Sequence, residues 1–365
     1  MKKNEGSKFM LFMMIWAIIT VFMLTFVLGT LSLVFDVDMD EALEVLSTPL
    51  GVIFYQVAAF IFPLVIWMII RSEPFKPNFP AAKLGGKNII IIVALSFLLQ
   101  PIMMLISGIT SLFFNNDVAE LMYTFQQYPF WLQLIAIAVT PAICEELVFR
   151  GYIQSKYNSH TIKKAALING LFFAMMHLNL QQFAYTFVLG VVFAYMVHYT
   201  RSIWAAILPH FILNGTQAVL GRWAFVAAPA YVDTYAEELF TSLPVSDEIM
   251  GIIIIGIISL ILSPVIFILF REFFKHNKWQ VASEYDQAIT PKQQIYEHDK
   301  NYMPEWARTH YETPTGPQPV SGAYDATAPQ PMHQHMPQSR FSQIDMYTVG
   351  VVVIFILFAV LTILS

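Results

Sequence analysis

The chain has 365 residues, 57% of them hydrophobic and 12% charged, with 31 Phe and 18 Met; a soluble domain has about half apolar and about a quarter charged residues, so an ordinary soluble fold is excluded. The formal net charge of −5 comes without a basic stripe, which excludes a nucleic-acid partner. The single cysteine, Cys144, excludes an intramolecular disulfide and a multi-cysteine zinc site.

Met1-Lys2-Lys3 precedes an apolar run over 9–35. The run is about twice the length of a signal-peptide core and ends without a small-x-small cleavage site, so it reads as a retained first membrane span. Further apolar segments follow at 50–70, 88–113, 129–157, 162–178, 180–199, 202–220, 249–270 and 346–364. About 20 residues suffice to cross a hydrocarbon core of ~30 Å. The expected fold is therefore all-α: a polytopic transmembrane bundle of about nine spans, an eight-helix core plus one C-terminal helix. A transmembrane domain is expected over 1–270, with its functional core at about 90–225.

Lys and Arg alternate from one connection to the next. Residues 71–87 carry Arg71, Lys76, Lys83 and Lys87; Lys156, Lys163 and Lys164 join the fourth and fifth spans, and Arg201 the sixth and seventh. Connections 36–49 and 114–128 carry none, Arg222 being the exception on the poor side. Cytoplasmic loops are enriched in Lys and Arg, so the N-terminus is expected in the cytoplasm and, with nine spans, the C-terminus outside it. Residues 271–345 are polar and rich in proline, notably over 313–340. Such a chain buries too little apolar surface to offset its ordering entropy. It reads as a flexible cytoplasmic segment tethering the last helix, or as a docking ligand for a cytoplasmic partner.

Ionisable groups inside a membrane span are costly and mark function by default. The fourth span carries Glu145, Glu146 and Arg150. Adjacent glutamates lie ~100° apart around a helix. Glu146 and Arg150, four apart with the acid first, pair along one face, leaving Glu145 as the carboxylate with other work to do. His177 closes the fifth span; His210 and Asn214, four apart, share a face of the seventh. Counted from the cytoplasmic ends at 1.5 Å per residue, the four lie roughly 12–21 Å deep, a common depth near mid-bilayer. A carboxylate and a neutral imidazole can hold and deprotonate a water. A second imidazole and an amide can donate to a developing oxyanion. The set suffices for water-dependent acyl transfer without a Ser or Cys nucleophile. A buried ionic cluster that only fixes helix packing is the plainer alternative for Glu145, Glu146 and Arg150.

Glu145-Glu146-x-x-x-Arg150, Phe173-x-x-x-His177 and His210-x-x-x-Asn214, in that order, resemble the CAAX-protease and bacteriocin-processing (CPBP, or Abi) family of intramembrane peptidases. The resemblance implies a helical bundle enclosing a cavity open to the cytoplasm and membrane, in a bacterial plasma membrane. It implies Glu145 and His177 as water activators, His210 and Asn214 as oxyanion donors, and Glu146 with Arg150 as structural support. The substrate would be a membrane-embedded or lipid-anchored peptide or protein. No cofactor is expected. Zinc held by Glu145, His177 and His210 is the alternative, and it would leave no separate base except Glu146, which Arg150 occupies.

Cys144 points ~100° away from Glu145 and is set aside as an inert small hydrophobe. Pro141 and Pro209 precede the chemistry and should kink their helices, freeing carbonyls for a polar cavity to satisfy. His198 reads as interfacial, and His333-x-His335 as part of the solvated tail. Two other functional classes stand beside the peptidase: a non-catalytic membrane immunity or scaffold protein, and a proton or ion transporter using the same Glu and His as a relay.

Overall fold

A computed structural model describes residues 4–75, 78–158, 160–227, 245–300 and 345–364. Among the described residues eleven helices run in chain order: α1 Glu5–Phe35, α2 Met39–Glu44, α3 Pro49–Arg71, α4 Gly86–Ser111, α5 Asp117–Thr124, α6 Phe130–Lys156, α7 Ile162–Met176, α8 Leu180–Thr200, α9 Trp204–Ala227, α10 Val245–Lys300 and α11 Met346–Leu364. No strand occurs among the described residues, so the all-α bundle stands. Each of the nine expected spans is a helix, and six helices (α1, α3, α4, α6, α8 and Ile249–Asn277 of α10) have the length and apolar content to cross a membrane. Of the other three, α7 has 15 residues and reaches about 22 Å, α9 carries His210, Asn214, Gln217 and Arg222, and α11, Met346–Leu364, is 19 residues long and apolar.

Two units are distinguished, Met1–Asn277 with Asp345–Ser365, and Lys278–Ile344. Helix α10 does not end near residue 270, where the flexible segment was expected to begin, but runs to Lys300. Residues 271–300 hold a single proline, Pro291, among many Glu, Lys, Gln and Ala, good helix formers. The Pro-rich stretch 301–344, with His333 and His335, lies outside the described residues.

Helix starts follow their capping residues. The side chain of Thr48 accepts from the Gly51 N–H at 3.1 Å with Pro49 in the first turn, and Asn179 accepts from the Gln182 N–H at 2.9 Å. Leu178, held in the left-handed region at φ 49°, lets α7 stop and α8 begin within three residues. These two helices then cross closely: a Cβ on Gly190 would lie 2.6 Å from the Gly170 Cα, and one on Gly170 2.9 Å from the Phe187 carbonyl. Small residues that let backbones touch are the common device of helix contacts in lipid.

Three stretches are wound wider than an α-helix, with π-type turns: Val57–Ile61 in α3, and Ile135–Val139 and Leu147–Ile153 in α6. Pro63 and Pro141 follow the first two, as expected where a ring would otherwise collide with the preceding turn. In each stretch a carbonyl takes a side-chain donor from another helix. Trp16 Nε1 donates to Ala58 at 2.9 Å, Asn214 Nδ2 to Ile137 at 3.0 Å, and Asn169 Nδ2 to Phe149 at 2.6 Å. Ile137 is the residue whose carbonyl Pro141 cannot reach, so Asn214 supplies the donor that the ring removed.

Candidate active site

Between its two widened stretches, α6 keeps about two regular turns, Thr140–Glu146, which carry both glutamates. They face different neighbours, as the 100° offset requires. Glu146 is wholly buried, and its Oε1 accepts from Arg150 Nη1 at 2.8 Å and from His210 Nδ1 at 2.7 Å. The Arg150 guanidinium is fully enclosed and stacks over the Phe173 ring at 4.2 Å, a cation–π contact in a desolvated setting. Glu145 points the other way. Its Oε2 is buried without a protein hydrogen-bond partner and lies 4.0 Å from His177 Nε2 and 4.0 Å from His210 Nε2. Gln56 Nε2, from α3, donates to Glu145 Oε1 at 3.3 Å.

Hydrogen bonds fix both imidazoles from behind. His177 Nδ1 lies 2.8 Å from the Phe173 carbonyl, which only accepts, so Nδ1 carries the proton and Nε2 presents a lone pair in the neutral ring. The same logic puts a proton on His210 Nδ1 against Glu146. Phe173 stands edge-on to His177 at 4.9 Å and to His210 at 6.1 Å. One residue thus orients the first imidazole through its carbonyl and walls both through its ring, a physical reason for Phe four positions before His.

The structure therefore brings Glu145, His177 and His210 from three helices to one point. Asn214 lines the same cavity, with one N–H spent on Ile137. Residue spacing alone paired Glu146 with Arg150 and missed that His210 shares the same oxygen. It also missed Gln56, whose one signal was a lone amide inside an apolar span. Cys144 is buried at 4% exposure and takes no part in the cluster.

The cavity has a volume of about 610 Å³, with Tyr55, Gln100, Tyr185 and Gln217 among its polar lining. Gln217 Nε2 donates to Gln100 Oε1 at 2.6 Å, tying α9 to α4 along its wall. Its lining reaches Ser111 and Asn116, both exposed, at the end of the bundle whose connections lack Lys and Arg.

Helices of membrane-crossing length around a buried carboxylate and two imidazoles define an integral membrane protein with the elements of an intramembrane protease. Residues 127–216 match the Rce1-like family model, described as type II CAAX prenyl endopeptidase Rce1-like. The match agrees with the CPBP resemblance of the three motifs, contains all of Glu145, His177, His210 and Asn214, and supports an intramembrane endopeptidase. No curated protein and no solved structure gives a significant match.

Proposed function

We propose that the chain hydrolyses peptide bonds of a membrane-associated protein or peptide, using a water activated by Glu145 and His177 and an oxyanion site formed by His210 and Asn214. The observation that carries this is the position of Glu145 Oε2, 4.0 Å from each Nε2, a spacing one bridging water can span.

In this reading the Glu145 carboxylate takes one proton of the water, and the His177 Nε2 lone pair accepts a hydrogen bond from the other. The nascent hydroxide adds to the scissile carbonyl. The oxyanion receives the second N–H of Asn214 and the Nε2–H of His210. His210 can donate there only as an imidazolium, and the Glu146 carboxylate at 2.7 Å is the partner such a cation needs. Glu145, now protonated, returns its proton to the departing amine, so protons balance over the cycle. Arg150 holds Glu146 in place through the 2.8 Å pair.

One feature favours a zinc reading as the second choice. Both Nδ1 atoms are hydrogen-bonded from behind and both Nε2 lone pairs face Glu145, the outer-sphere pattern of metal-binding histidines. Glu145, His177 and His210 would hold the ion. When bound it would polarise the carbonyl and acidify a coordinated water. Tetrahedral ligands at about 2.0–2.1 Å from zinc stand roughly 3.3 Å apart, so the set would first have to draw together from 4.0 Å. Metal analysis of the purified protein separates the two readings: stoichiometric zinc, with activity lost to a chelator, overturns the metal-free one.

The test of proteolysis is mass spectrometry of membrane peptides from cells carrying wild-type protein or Glu145→Ala. Cleavage products present only with wild type support the proposal, and identical peptide sets overturn it. A scaffold or immunity protein instead keeps its cellular phenotype in Glu145→Gln, His177→Ala and His210→Ala and loses it on deletion of 272–345.

A further inference from the structure

The cavity is one-sided. On every long helix that lines it, the lining residues fall in the central part or in the half adjoining the connections without Lys or Arg. Examples are Gln56 near the start of α3, Ser107 near the end of α4, His177 just past α7 and Gln182 at the start of α8. His177 is two residues from Asn179, whose Nδ2 donates to Asp117 at 2.7 Å on the rim. In the opposite direction it is 14 residues from Lys163, roughly 21 Å of helix.

Towards the basic end the site is closed. Phe149, Arg150, Tyr152 and Ile153 follow the glutamates on α6 and are each at most 1% exposed. A smaller cavity of about 120 Å³ enters from that end, among Asn78, Asn158 and Arg201. Arg150 lines it, but Glu145, His177 and His210 do not. Arg150, paired to Glu146, thus lines the smaller cavity, while neither of the pair lines the active-site cavity.

Charge says which side is which. Residues 36–48 contain five acidic and no basic residues, and 112–129 contain Asp117 and Glu120 and no basic residue. The opposite connections hold Arg71, Lys83, Lys87, Lys156, Lys163, Lys164 and Arg201. Because Lys and Arg concentrate in cytoplasmic connections, the mouth faces away from the cytoplasm.

We infer that the site is served from the extracytoplasmic side, and that its substrate is a peptide segment lying at or translocated to that face of the membrane. This rests on the peptidase reading above. It is a different substrate class from a cytoplasmic, lipid-modified C-terminus, which would have to pass the Arg150 layer to reach Glu145.

The test uses the full chain with Cys144→Ala and single cysteines at Ser107→Cys or Met104→Cys inside the cavity and Asn158→Cys at the opposite end. A membrane-impermeant maleimide is added to intact cells and to inside-out vesicles. The expected result is labelling of both cavity cysteines in intact cells and loss of that labelling in inside-out vesicles, with Asn158→Cys showing the reverse. Labelling of the cavity cysteines from the vesicle side, or from neither side, overturns the inference. Labelling needs no catalysis, so it can fail while the peptidase reading stands. A second readout keeps the two apart: cleavage sites lost in Glu145→Ala should map to extracytoplasmic segments. Sites in cytoplasmic segments overturn this inference alone, and no lost sites overturn the peptidase reading.

Discussion

Glu146 accepts from the Arg150 guanidinium and the His210 imidazole with one oxygen, and removing it separates its two jobs. Glu146→Leu leaves the Arg150 guanidinium buried at 0% side-chain exposure without its carboxylate. Uncompensating a buried charge costs about 3–5 kcal/mol, so the variant should unfold well below wild type in a thermal melt of detergent-purified protein. Arg150→Met should lose a comparable amount by stranding Glu146. Glu146→Leu with Arg150→Met exchanges a buried ion pair for packed apolar groups, a swap that is often neutral or better, so most of the stability should return. Activity should not. His210 Nδ1 loses the acceptor at 2.7 Å that fixes its tautomer, and turnover should stay down by roughly 10²–10⁴-fold. Melting temperature and product formation, followed by mass spectrometry on one preparation, give both halves of the cycle. Arg150→Met melting like wild type, or a double variant with full turnover, refutes the reasoning.

Four further outcomes are expected. Glu145→Gln should preserve the melt while lowering product formation by roughly 10²-fold or more, since the amide cannot take the water's proton; unchanged product formation would remove Glu145 from the chemistry. Asn214→Ala should lose about 10²–10³-fold in turnover as one oxyanion donor goes and about 1–3 kcal/mol as the Ile137 carbonyl is orphaned, whereas Asn214→Ala with Pro141→Ala should recover stability and not turnover. Gly190→Val, whose Cβ alone would sit 2.6 Å from the Gly170 Cα, should cost about 1–3 kcal/mol by overpacking, read as a lowered melting temperature. Gln56→Leu should keep the fold, read as an unchanged melting temperature, and reduce turnover by removing the donor on Glu145 Oε1; unaltered turnover would show Gln56 to be mere lining.

Much of the site could be read from spacing because its key pairs are local. Glu146 with Arg150, and Phe173 with His177, are i,i+4 relations that a helix enforces wherever it lies. The exclusion of Glu145 from the ion pair followed from the 100° offset alone. What spacing could not give is tertiary: that His210 turns its Nδ1 to Glu146, that Gln56 arrives from α3, and that Asn214 mends the gap left by Pro141. The opening of the carbonyls was foreseen from proline, but not which side chain would answer it. That α10 continues past residue 270 was hidden because its prolines outweighed the good helix formers between them. The segment expected over 162–178 is helical over Ile162–Met176, ending just before the left-handed Leu178.

The widened turns of α6 bear on how such a molecule can be made. A helix inserted alone into lipid must satisfy its own backbone, and this one does not: Ile137 finds its donor on α9 and Phe149 on α7. The carboxylate-bearing segment therefore settles only after helices synthesised later have docked against it. Cutting power would be withheld from every partly built copy, and a cell would be spared a stray protease during biogenesis by backbone geometry alone.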